Sequence, residues 1–161
     1  MNDVSDLIFT MASIVIFSFL LLQANHAMVR NDVVMVEHEY ENSGISLAQS
    51  LINEARMTAF DETTEGGGAP ESMPSGFREQ LGPPVGISRP DFTVFDYYHG
   101  YSDTITTQLG SYVMDVTVSY VNSEPPYEET GGPTFSKKLE ATVREVQTEQ
   151  SARLSYIKTY Y

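Results

Sequence analysis

The sequence is most constrained by its start. Residues Leu7 to Leu22 contain no charge, no glycine and no proline. Extended to Ala24, the run approaches the lower limit for spanning a bilayer as a helix, roughly 17 residues. A cleavable secretory signal wants Lys or Arg ahead of the apolar core, but Asn2, Asp3, Ser5 and Asp6 stand there instead. Two readings remain: a single-pass anchor, or a helix buried among others in a polymer. Arg30 alone is a poor topology signal for an anchor.

The residues after the run favour the polymer. A simple anchor soon reaches a linker, whereas here the helical pattern continues. Val29, Val33, Val36, Tyr40, Gly44, Leu47, Leu51, Ala55 and Ala59 recur at steps of three or four. Asp32, Glu37, Glu39, Glu41, Gln49, Asn53, Glu54 and Arg56 fill the solvated faces between them. No proline precedes Pro70, and Gly44 is the only glycine before Gly66. A helix from about Asp3 to Phe60 is expected, on the order of 85 Å long at ~1.5 Å per residue. Its first half is apolar all round, and one small head cannot cover it, so it must meet lipid or other copies of the chain. The stripe on its second half fits a short coiled coil. The stretch is short and interrupted by Ser43-Gly44, so the plainer role is the side on which a head packs.

At Glu62 the composition changes. Thr63 to Gly76 is rich in Gly, Pro, Ser and Thr, and Pro83-Pro84 and Pro90 extend the irregular stretch. The period then shifts from 3.6 to 2. Tyr112, Met114, Val116, Val118 and Tyr120 share one face of a strand, with Asp115, Thr117 and Ser119 on the other. Phe135–Val146 repeats the device, with Leu139, Ala141 and Val143 inward and Lys138, Glu140, Thr142 and Arg144 outward. Asn122–Pro133 reads as the hairpin connection. Asp91–Tyr98 and Arg153–Tyr160 read as two further strands. The expected fold is α+β: a long helix (1–62), a Gly/Pro-rich loop (63–90) and a head (91–161) with an antiparallel meander of about four strands.

Acidic residues number 22 against 9 basic, a net charge of −13. Such a field repels nucleic acid and suits a surface crowded beside copies of itself or bathed in salt. Cysteine is absent, which excludes disulfides, thiolate nucleophiles and Cys-based metal sites.

A long helix, apolar at its start, followed by a variable loop and an antiparallel sheet, resembles a type IV pilin or pseudopilin. The stretches Phe95-Asp-Tyr-Tyr-His-Gly-Tyr-Ser-Asp103, Gly110–Tyr120 and Lys137-Lys-Leu-Glu-Ala-Thr-Val143 are similar to heads of some minor pilins of Gram-negative bacteria. The resemblance implies an extracellular filament on a bacterial surface, anchored in the inner membrane before assembly. Its partners are copies of itself and the pilus assembly machinery. The filament core is then Leu7, Ile8, Phe9, Met11, Ile14, Val15, Ile16, Phe17, Phe19, Leu20, Leu21 and Leu22. Phe9-Thr10-Met11 echoes the family's processing motif, but Ile8 stands where Gly belongs and Ser13 where Glu belongs. Either a leader has been removed, with Met1 the mature first residue, or export takes another route. In the family a carboxylate near the helix start pairs with the amine of an adjacent subunit. Asp3 and Asp6 are the candidates; the plainer role is helix capping, with Asp3 as N-cap and Asp6 in the first turn. The rival to a polymer is a non-polymerising membrane protein or secretion accessory subunit whose head binds a partner.

No catalytic constellation or cofactor motif is found. His26, His38 and His99 are scattered, without the i, i+4 spacing of metal ligands. Gly-x-Ser-x-Gly, Walker and dinucleotide motifs are absent, and Glu128-Glu129 lies in a polar loop. Asp96 and Asp103 flank His99-Gly100 as oxygen donors of the kind calcium takes, but no EF-hand loop accompanies them. The expectation is a chain without enzyme activity, metal or cofactor. Tyr97, Tyr98, Tyr101, Tyr156, Tyr160 and Tyr161 fit half-buried sheet positions or subunit contacts.

Overall fold

The computed structural model describes residues 2–70 and 72–161. Met1, expected as the mature first residue, lies outside them, as do the side chains of Asn2, Asp32 and Val33. Two compact units are present, Met1–Glu39 and Tyr40–Tyr161.

Helix α1 runs Asn2–Met57. It begins one residue earlier than expected, so Asp3 is not the N-cap but sits inside the first turn, where its charge complements the helix dipole. Asp6 falls beyond that turn. The helix is long and apolar enough to cross a membrane: its 18-residue apolar window has a mean hydropathy of 2.3 and is fully exposed.

Within the second unit, the helix from Tyr40 onward is an amphipathic element lying on a sheet. Ala48, Leu51, Ile52 and Ala55 are buried against Tyr112, Met114, Val116, Val118, Leu139, Ala141 and Val143. Burying a side chain of Leu size contributes about 1.5–3 kcal/mol, so this layer is the main support of the head. The stripe's use as a head-packing face therefore holds from Tyr40; Val29 and Val36, further upstream, remain exposed.

The sheet is an antiparallel meander in the order β1 (Ser102–Thr106), β2 (Ser111–Val121), β3 (Ser136–Glu145), β4 (Ser151–Thr159). The register sets Val116 opposite Ala141, Val118 opposite Leu139, and Val143 opposite Ala152. All but Ala152, which precedes the expected Arg153–Tyr160 strand, are alternating apolar positions read from the sequence, and they line the inner face.

Asp91–Tyr98 is not a strand. It runs from one short 3-10 turn, Arg89–Asp91, into another, Phe95–Tyr98, and between them Val94 makes a single parallel bridge to Ala59. All of Phe95, Asp96, Tyr97 and Tyr98 are buried, a pattern no half-exposed strand allows. Helix α1 stops at Met57, not Phe60, because the chain leaves it to make that bridge. The Ala59 N–H donates to Thr93 O at 2.9 Å, and Ala59 O accepts from the Phe95 N–H at 2.9 Å. Lys158 Nζ donates to the freed carbonyls of Arg56 and Thr58, as a C-terminal cation should.

Candidate functional site

The first candidate is the surface of α1. Every residue expected in a filament core is exposed, from 52% for Leu22 to 71% for Phe9. The hydroxyls within the run do not disturb its apolar character. Ser13 Oγ donates to Phe9 O at 2.7 Å, Ser18 Oγ to Ile14 O at 2.8 Å, and Thr10 Oγ1 to the carbonyls of Leu7 and Asp6. Each polar group is thus satisfied within the helix, the condition for lying in hydrocarbon or against another helix. Met28, Val29, Val34, Met35 and Val36 extend the exposed apolar residues. Asp3 and Asp6 share the start of this helix, and no ion pair engages them among the described residues.

The second candidate lies inside the head. Lys137 is the second residue of β3, its side chain 0% exposed, between Asp61 and Asp96, both also 0% exposed. Three segments meet here. Asp61 caps the 3-10 helix Glu62–Gly67 through a capping box with Thr64. Asp96 belongs to the turn Phe95–Tyr98, and Lys137 stands opposite Tyr120 in the sheet register. Lys137 Nζ lies 2.9 Å from Asp61 Oδ2 and 2.5 Å from Asp96 Oδ1, and donates to Phe60 O at 3.0 Å. The rings of Phe60 and Tyr120, with centroids 4.4 and 4.8 Å from Nζ, enclose it.

The two carboxyls differ in their surroundings. Asp61 accepts from Thr63 N at 3.0 Å, Thr63 Oγ1 at 2.8 Å and Arg78 N at 3.1 Å. Burial pushes its carboxyl up, but the hydrogen bond and charge of Lys137 and the Thr63 donors outweigh it, leaving it below the usual range. Asp96 has no hydrogen-bond partner at either oxygen; its approach to Lys137 is an ion-pair contact without hydrogen-bond geometry. Burial, opposed by Lys137 and reinforced by the Asp61 charge, pushes Asp96 up to about 7. One ammonium faces two carboxyls, and the less supported one holds its proton to higher pH.

This cluster escaped the sequence reading, though a signal for Lys137 existed. It shares parity with Leu139, Ala141 and Val143, so an inward Leu139 obliges an inward Lys137. For Asp61 and Asp96 no periodic signal was available.

The remaining candidates do not converge. Asp96 faces Lys137 in the sealed interior, while Asp103 lies on exposed β1 and accepts from Tyr101 Oη at 2.9 Å, so the calcium reading fails. His99 Nδ1 accepts the Val118 N–H at 3.1 Å, a structural bond. No group of three metal-ligating side chains occurs among the described residues. Glu129, in the acidic pair, contacts Lys138 at 3.4 Å and Ser119 at 3.2 Å. Tyr97 and Tyr98 are buried, Tyr101, Tyr156 and Tyr160 half-buried, and Tyr161 exposed. An open groove of about 720 Å³ is lined by Glu54, Ser88, Arg89, Pro90, Phe92, Tyr101 and Asp103. Its charges are already matched, since Arg89 grips Glu54 at 2.8 and 3.2 Å and Tyr101 Oη at 3.2 Å.

No protein-family model, curated protein or solved structure matches this chain.

Proposed function

We propose that this chain is a structural subunit of an extracellular filament of the type IV pilin kind, held in a membrane by α1 before assembly and polymerising through the same helix. The observation that carries the reading is the fully exposed apolar surface of residues 7–22, internally satisfied at every hydroxyl. Leaving water drives such a surface into lipid, at ~0.8 kcal/mol per buried CH₂. Transfer from lipid into a helix bundle brings no further hydrophobic gain, so side-chain packing between copies decides assembly. The head, acidic and without a group of three metal-ligating side chains among the described residues, then serves as the outer surface. The family resemblance of the whole plan supports the same reading.

Crosslinking tests it cleanly because the chain has no cysteine. Ile14 and Ile16 lie about 200° apart around the helix. In membranes and in material sheared from cells, the Ile14→Cys/Ile16→Cys variant, once oxidised, is expected to give a ladder of oligomers; each single variant is expected to stop at dimers. If the double variant also stops at dimers, the chain is a membrane-anchored protein with a head that does not polymerise.

A further inference from the structure

The Lys137 cluster has the makings of a covalent bond. An amine and a carboxyl are held 2.5 Å apart, N to O, at a site with no exposure to solvent. With a C–O length of ~1.23 Å, the Asp96 carboxyl carbon lies within about 3.7 Å of Nζ, close to the ~3–3.5 Å of a near-attack arrangement. Neither oxygen of Asp96 is restrained by a donor hydrogen bond. A second carboxyl, Asp61, rests on the same amine at 2.9 Å and is fixed by its own donors. The aromatic walls of Phe60, Phe77 and Tyr120 exclude water.

We propose that Lys137 and Asp96 condense into an intramolecular amide, Nζ bonded to Cγ, with Asp61 carrying the protons. The reacting set is the Lys137 ammonium, the Asp61 carboxylate and the Asp96 carboxylic acid. Asp61 takes one proton from the ammonium. The free amine attacks Asp96 Cγ, forming the C–N bond and a tetrahedral centre. A second proton passes from nitrogen, through Asp61, to the departing hydroxyl, the C–O bond breaks, and one water leaves. The products are a neutral amide, a water and a protonated Asp61; atoms and charge balance, and no oxidant, reductant or activated donor is needed. The neutral acid is what makes Asp96 electrophilic, and its raised titration supports that state at neutral pH. Holding the partners in place supplies the large effective molarity that intramolecular reactions show. The reaction also removes an ammonium facing two buried carboxyls, an arrangement whose desolvation is costly. The bond joins the turn Phe95–Tyr98 to the start of β3, enclosing β1 and β2 in a covalent loop within a cysteine-free chain. It forms within one chain and does not require polymerisation.

The test is intact-mass measurement of the full chain, purified in detergent and denatured, with tryptic mapping. The wild type is expected one water lighter than its own sequence mass, with a branched peptide joining Asp96 to Lys137. Lys137→Arg and Asp96→Ala are expected at full mass. Asp61→Asn keeps one acceptor oxygen, enough for the Thr63 donors, turns its amide nitrogen toward the Arg78 N–H and Lys137, and takes no proton. It is expected to keep the native circular dichroism while forming the bond far more slowly. A wild type at full sequence mass, or a water loss mapped elsewhere, overturns the proposal. Asp61→Asn that links as fast as wild type overturns the role of Asp61.

Discussion

Replacing Lys137 with methionine removes a charge from the centre of the head while nearly preserving its length. The two ion contacts to Asp61 and Asp96 are lost, together with the donor to Phe60 O and the cation between the rings of Phe60 and Tyr120. Removing one partner of a buried pair costs about 3–5 kcal/mol, because the other charge is left without compensation. Asp96 escapes part of that penalty by taking up a proton once the Lys137 charge is gone, so the loss falls chiefly on Asp61 and on the orphaned Phe60 carbonyl. About 3 kcal/mol is therefore expected, against a total of about 5–15 kcal/mol for an ordinary domain, and more where the wild type carries the Lys137–Asp96 amide. All ten tyrosines lie at or beyond Tyr40 and tryptophan is absent, so the tyrosine band in the near-ultraviolet circular dichroism of the full chain in detergent follows the head during urea unfolding. Adding Asp61→Asn and Asp96→Asn to Lys137→Met is expected to recover about 2 kcal/mol, a comparison between two variants neither of which forms the amide. A loss below about 1 kcal/mol for Lys137→Met, or no recovery in the triple variant, refutes the electrostatic account.

Other parts of the structure give further expectations. Burial first, and the Lys137 charge second, push Lys158 down to about 8. Between pH 8 and its ordinary value the unfolded chain binds the extra proton, so stability rises with pH there, and the cost is fully present below about 8. The rise is on the order of 1 kcal/mol after allowance for solvent at this half-exposed side chain, and Lys158→Met is expected to lack it in unfolding curves at pH 7 and 9.5. A Cβ at Gly44 meets Ala152 Cβ at 3.6 Å and Val143 Cγ1 at 3.7 Å, ordinary contacts. Gly44→Ala is therefore expected to stabilise by up to ~1 kcal/mol through helix propensity, while Gly44→Leu costs about 1–3 kcal/mol by overpacking, both read from urea midpoints. Phe17→Asp places a charge in the apolar run at about 2.5–3.5 kcal/mol, and is expected to lower the share of the chain in the carbonate-resistant membrane pellet without emptying it.

Where periodicity governed the structure, the sequence was readable. The 3.6-residue stripe from Tyr40 and the alternation in Tyr112–Tyr120 and Leu139–Val143 place the helix on the sheet as found. The failures have local causes. Asp91–Tyr98 carries strand-forming aromatics, but Phe95, Tyr97 and Tyr98 are all buried, and tertiary packing overrides their propensity. Ser102–Thr106, the true first strand, has an almost wholly exposed, polar pattern and exists because β2 offers it a backbone ladder. A strand held by backbone pairing at a sheet edge leaves no apolar alternation to read. The Lys137 cluster depends on three segments far apart in the chain, and only Lys137 carried a parity signal.

Whether this chain forms the body of a surface filament is tested most directly by immunogold negative-stain microscopy with an antibody to the head. Gold particles spaced along thin filaments, and recovered with them after shearing, are the expected result. Gold confined to membrane fragments, with no head antigen in the sheared fraction, contradicts it.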